Sequence, residues 1–300
     1  MSVRLESAGA TAVQSKSGWR RILEFPLVRI AAGIVAAVAL LLPAQLLATG
    51  ASAISVRGVL VEVYTGLAAG LALWLVARFI EKRSLAEAGL PLDRGAAMVV
   101  VGLTIGAVIA AGSIGILAAT GSYSIGGAGD LAGSGGNLAL ALVFELGSAA
   151  LQAILFYGIV FRVLAEWLGR WPAIALAVVL FGAIHLTAPQ ATVFSAVVVG
   201  LTGGVLLAVG YLATRALWLP MGLLWGVNFM FAEVFGAIPG AHHRLFEARQ
   251  SGSELWTGGQ AGAEAGGATL IVVAVAIALI VWSAPDLARF VQKVRITRHQ

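Results

Sequence analysis

The sequence predicts an all-α integral membrane protein of about eight transmembrane helices, and three observations carry that prediction. Hydrophobic residues make up 60% of the 300-residue chain and charged residues 11%, with a mean hydropathy of +0.96. That is too little charge to solvate a globular surface. Apolar runs of about 20 residues recur, the length that crosses a bilayer as a helix. The 38 glycines suit helices that approach closely in lipid, where small residues let backbones meet.

Taken in order, the spans are Leu27–Ala48, Val56–Ala77, Ala96–Thr120, Leu138–Val160, Pro172–Thr187, Thr192–Ala213, Leu217–Phe235 and Ala268–Trp282. Backbone groups in hydrocarbon must pair within their own segment, so each is read as a helix and not a strand. The first span follows Arg20-Arg21 and precedes Ala51-Ser52-Ala53, the outline of a signal peptide. Its apolar stretch exceeds the roughly 7–15 residues of such a segment, so it is read as a retained helix. The connector Glu81–Arg94 separates the second and third spans, and the glycine–serine loop Gly121–Gly136 separates the third and fourth. Gly236–Gly267 is the one long loop before the last span. No internal repeat divides the chain. The organisation expected is a polar tail over residues 1–25, one membrane unit over 26–283, and a basic tail over 284–300.

Orientation follows from the basic residues. With the N-terminus inside, the cytoplasmic segments hold Arg20, Arg21, Arg29, Arg78, Lys82, Arg83, Arg94, Arg162, Arg170, Arg215 and the basic C-terminal tail. Only Arg57, Arg244 and Arg249 are left outside. Both termini are therefore expected in the cytoplasm and the protein in the plasma membrane. Trp74, Trp167, Trp171, Trp218 and Trp282 fall near the inner boundary, as an aromatic belt would. Basic residues at helix ends, and not on one patch, argue against a nucleic-acid partner. The absence of cysteine removes disulfides, thiol nucleophiles and Cys-ligated metals.

Three stretches place polar residues at membrane depth. The first is Leu151–Arg170, LQAILFYGIVFRVLAEWLGR; the second is Phe181-Gly182-Ala183-Ile184-His185; the third is Gly203–Phe229, GGVLLAVGYLATRALWLPMGLLWGVNF. At about 1.5 Å per residue, Gln152 lies about 15 Å from Arg162, His185 about 20 Å beyond Pro172, and Asn228 about 20 Å beyond Arg215. All three are expected near mid-bilayer. Polar side chains there are expensive and mark either a function or a hydrogen bond between helices. Both readings stand for His185 and for Asn228.

In order and spacing, these stretches resemble the CPBP family of CAAX-protease and bacteriocin-processing intramembrane peptidases. Gly158, Phe161-Arg162 and Glu166 suit its first motif, Phe181 and His185 its Phe-x-x-x-His, and Thr214, Leu217, Trp218, Pro220, Gly222 and Asn228 its third. Leu85–Arg94 and Leu255–Gly267 resemble the family's lead-in and outer loop, so the likeness runs from about residue 85 to 283. The resemblance implies a single CPBP-like helical bundle and endopeptidase activity on prenylated or hydrophobic peptides, with water activated by glutamate and histidine. It also implies a divalent metal if the protein is active, His185 being the sole candidate ligand; the sequence itself requires no cofactor.

Several positions depart from the family pattern. Gln152 and Ala153 stand where paired glutamates are expected, Tyr157 in place of an arginine, and Leu224 in place of a second histidine. Gln152 hydrogen-bonds but takes no proton, and Ala153 does neither. Gln152, Ala153, Tyr157, Phe181 and Leu224 are expected to line a cavity. Two readings follow: a catalytically degenerate member that binds a hydrophobic peptide, lipid or membrane partner, or a peptidase with a displaced site. Glu145 is the candidate for the latter, with His185 and Asn228. It lies seven residues before Gln152, on the same helical face and about 10 Å further out. Glu62 and Glu233 are also expected in the outer halves of their spans; with Glu145 they either join His185 in a displaced carboxylate–histidine site or each reach interfacial water, the latter being favoured. His242 and His243 are adjacent and share no helical face, and Ser134 lacks the context of a serine nucleophile. The sequence leaves oligomeric state open.

Overall fold

In the computed structural model the described residues are 22–50, 54–130, 132, 135–188, 190–238 and 244–297, with side chains described to residue 285. The polar N-terminal tail to residue 21, Ser134, His242 and His243 lie outside them.

Eight long helical segments run up and down through the described chain. They are α1 (Pro26–Ala48), α2 (Val56–Glu81), α3 (Gly95–Ala119), α4 (Gly135–Leu168) and α5 (Arg170–His185). After these come α6 (Val193–Thr214), α7 (residues 218–234) and α8 (Gly267–Thr297). Six are long and apolar enough to cross a membrane: α1 to α4, α6 and the α8 segment Gly267–Pro285. The fold is an all-α membrane bundle. Helix α8 continues unbroken past residue 283 to Thr297, through Pro285.

The up-and-down course gives the bundle two unlike ends. Arg29, Arg83 and Arg162 gather at one, around Glu81 and Glu166. The other carries a two-stranded antiparallel sheet, β1 (Tyr123–Ala128) with β2 (Phe246–Gln250), which the expectation of loops there did not include. The strands lie some 120 residues apart in sequence, and β1 reads YSIGGA with no apolar alternation. Pairing of that kind leaves no local signal.

Glycine packing sets the closest helix contact. Gly102 and Gly106 on α3 face Gly222 and Gly226 on α7. A Cβ at Gly102 would sit 2.5 Å from the Leu219 carbonyl oxygen, and one at Gly226 2.8 Å from the Ala107 nitrogen. Reciprocal small-xxx-small pairs bring the two backbones into contact. Tryptophans pin neighbouring elements: Trp218 Nε1 donates to Pro91 O at 2.8 Å, and Trp225 Nε1 on α7 to Leu142 O on α4 at 2.8 Å.

At the arginine-rich end a buried ion network ties α1, α2 and α4. Arg162 donates through both terminal nitrogens to the Glu81 carboxylate, each at 2.9 Å, and through Nε to Gly158 O at 2.9 Å. Arg29 reaches the same carboxylate at 2.7 and 3.0 Å and Glu166 at 3.1 Å. Arg83 also bonds Glu166, and that bond holds the Arg83 guanidinium above its ordinary pKa.

Candidate functional site

Between the network and the sheet, α4, α5, α6, α7 and α8 enclose a cavity of about 400 Å³. Three local features shape it. Helix α5 has only 16 residues, about 24 Å of rise against a hydrocarbon core of roughly 30 Å. His185 is its last residue, so the histidine sits at the helix end and not at mid-span. Loop 259–266 fills the missing depth: Ala263 N donates to Ala237 O at 3.0 Å, and Thr269 Oγ1 to Ala263 O at 2.7 Å. Wide π-helical turns at Gly200–Gly204 and Phe229–Val234 complete the wall, supplying Thr202 and Glu233. Such turns recur at functional sites because they re-aim side chains within a helix.

Of the residues singled out in the sequence, Glu145, Gln152, Phe181, His185, Leu224 and Asn228 line this one cavity. Ala153 and Tyr157 do not, contrary to expectation. Residue 153 is turned about 100° from Gln152 around the helix, and it is fully buried. Tyr157 is 1% exposed, packs against Phe161 and Phe181, and donates its hydroxyl to Gly204 O at 3.2 Å. The residue in place of the family's arginine thus crosslinks α4 to α6.

Hydrogen bonds fix the polar groups. Gln152 Nε2 donates to Ser148 Oγ at 3.2 Å, one turn back on its own helix. The Asn228 side chain lies beside the Glu145 carboxyl on the cavity wall. His185 Nδ1 lies 2.7 Å from Phe181 O. A carbonyl only accepts, so Nδ1 is the donor in this contact.

Glu145 and Glu233 are 8% and 6% exposed and face the cavity, where interfacial water was expected. The 3.6-residue repeat puts Glu145, Ser148 and Gln152 on one face of α4, and that face is the cavity wall. Glu62 is not among the lining residues but lies within electrostatic reach of Glu145. Glu264 is the residue that sequence reasoning missed. It comes in on loop 259–266, within electrostatic reach of both Glu145 and His185. Burial pushes its carboxyl above the ordinary range, and the nearby imidazole opposes this. Its one advance signal was its place in the family-like loop Leu255–Gly267.

Among the described residues no three His, Asp or Glu side chains are grouped as a metal ion would need. The residues present can accept and donate hydrogen bonds, and at Glu145, Glu264 and His185 they can exchange protons.

A helical membrane bundle with a polar cavity between its central helices defines the class. Residues 134–230 match the family model described as type II CAAX prenyl endopeptidase Rce1-like. This match runs over α4 to α7, about a third of the chain, and is in keeping with the CPBP resemblance. No curated protein and no solved structure matches the chain.

Proposed function

We propose that this protein is a non-catalytic member of its family that holds a hydrophobic peptide, a lipid or a segment of a membrane partner in the central cavity. One observation carries the reading: the cavity survives while the family's reactive positions do not. Gln152 bonds Ser148, Tyr157 is tied to Gly204, Leu224 presents a hydrocarbon wall, and Ala153 is packed away. General acid–base assistance is worth about 10²–10⁴-fold, and groups acting as one catalytic unit leave little when several are lost together. Both termini are inferred to be cytoplasmic, in the plasma membrane, on the distribution of arginine and lysine.

A second reading is supported by the polar set itself. Glu145, Asn228, Glu264 and His185 lie about one cavity, and the Nδ1 contact to Phe181 O leaves His185 Nε2 as the ring nitrogen without a bond to its own helix. In that reading a displaced Glu145–His185 pair activates water against a prenylated or hydrophobic peptide.

The test is restoration. Gln152→Glu, Ala153→Glu, Tyr157→Arg and Leu224→His, combined in purified protein, are given a fluorogenic prenylated peptide. The non-catalytic reading expects no cleavage by the unmodified protein, and cleavage by the combined variant only if its helix turns residues 153 and 157 into the cavity. Cleavage by the unmodified protein that is lost in Glu145→Gln favours the displaced site.

A further inference from the structure

The central cavity meets unlike surroundings at its two ends. Beside the main chamber lies a smaller one of about 100 Å³, and the two share His185, Val199, Ile238 and Glu264, which form the neck between them. Past the neck the small chamber reaches Gln190 and Gln260, both exposed. Gln190 lies on the turn from α5 to α6, and Gln260 on loop 259–266. Helix α5 starts beside the Arg162 end of α4, so that turn lies toward the sheet. Two residues on, Thr192 Oγ1 donates to Glu254 Oε1, just past β2, at 3.4 Å. In the other direction the cavity stops against packed rings. Tyr157 lies 5.6 Å from Phe161 and 6.4 Å from Phe181 between ring centroids, Tyr211 lies 5.9 Å from Phe161, and all four are buried. The space left around Tyr157 and Phe161 is about 10 Å³, no more than one water needs. The Arg162–Glu81 pair lies beyond them.

From this asymmetry we propose that the cavity is entered from water at the sheet-bearing end, through the neck, and that Ile238 sets the bore. Val199 is packed into the core, and His185 and Glu264 present polar ends. Ile238 is half-buried on the segment after α7, so its size can change without repacking a helix. A molecule bound for Gln152 or Asn228 passes His185 and Glu264 first. Tyr157, standing in place of the family's arginine, is the plug that closes the other side. The route goes beyond the reading of the cavity's function, since it serves binding and cleavage alike.

The native chain has no cysteine, so Thr202→Cys supplies a single reporter of nearly the same size in the main chamber. The probe is a charged methanethiosulfonate that does not cross lipid, applied to spheroplasts and to inverted membrane vesicles. Gln260→Cys at the rim, and Lys82→Cys, exposed just past α2 at the arginine-rich end, show which preparation presents which end. Thr202→Cys should label only where Gln260→Cys does. Methyl methanethiosulfonate, neutral and able to enter through lipid, corrects for the reactivity of the thiol itself. On that scale Ile238→Trp should slow labelling of Thr202→Cys by roughly tenfold or more, and Ile238→Ala should speed it. Should Ile238→Trp fail to insert, Ile238→Ala alone decides. Labelling in the preparation that exposes Lys82→Cys, no labelling from either side, or a rate indifferent to the size of residue 238 overturns the proposal. Each of these results leaves the binding reading to its own test.

Discussion

Replacing Glu81 with alanine strips the central acceptor from the ion network. Four hydrogen bonds end on that carboxylate, two from Arg162 and two from Arg29, at 2.7–3.0 Å. The Arg162 side chain is 2% exposed and that of Arg29 12%, so neither guanidinium reaches bulk water in compensation. Removing one member of a buried pair costs about 3–5 kcal/mol because the partner charge stays behind. Glu166, 3.5 Å from Arg162 and 3.1 Å from Arg29, offsets part of that. The expected loss is therefore near the lower bound, about 3 kcal/mol, or roughly a hundredfold in the folded ratio. Unfolding in mixed micelles titrated with denaturing detergent, followed by helical circular dichroism, measures it. Glu81→Met with Arg162→Met should recover most of the loss, since a well-packed apolar pair avoids the desolvation cost. A loss below about 1 kcal/mol, the size of an exposed pair, would refute the reasoning, as would a double variant no more stable than Glu81→Ala.

Three further expectations rest on other parts of the molecule. Gly222→Leu drives a side chain into α3, where its Cβ alone would sit 2.9 Å from the Leu103 nitrogen and 3.0 Å from Gly102 Cα; it should cost at least the roughly 1–3 kcal/mol of overpacking, read by the same detergent titration. Glu264 gives stability a pH dependence. Its carboxyl is raised in the folded state, so between the unfolded value near 4.5 and the folded one the native protein binds more protons. Stability should fall as pH rises through that window, and Glu264→Gln should flatten the slope. A cysteine at Asp130, whose carboxylate accepts from Arg244 N at 2.7 Å beside the sheet, should react with an impermeant maleimide from outside intact cells; labelling only from the cytoplasmic side reverses the inferred orientation.

The helices were the legible part of the sequence. Each of the eight spans read from apolar runs corresponds to a helix, with ends moved by a few residues except where α2, α4 and α8 run on past the apolar stretch. Counting rise per residue also brought Gln152, His185 and Asn228 to one region, and the seven-residue offset put Glu145 on the same face as Gln152. What stayed hidden depends on partners distant in sequence. Glu264 is 79 positions from His185, and only the shortness of α5 draws its loop down to the histidine. The Arg162–Glu81 pair, 81 residues apart, shows in no local pattern. The departure of Tyr157 and Ala153 from the cavity follows from helix rotation, which motif spacing alone does not fix.

The central claim is that the cavity binds without catalysing, and the unmodified protein tests it most directly. Purified protein in neutral-lipid nanodiscs is incubated with a prenylated peptide, and both saturable binding and cleavage products are measured. His185→Ala serves as a companion; its hydrogen bond is to Phe181 O on its own helix, so the variant should fold and insert normally. The account predicts saturable binding with no product from either protein. Turnover by the unmodified protein that disappears in His185→Ala and in Glu145→Gln contradicts it and makes the displaced pair an active site.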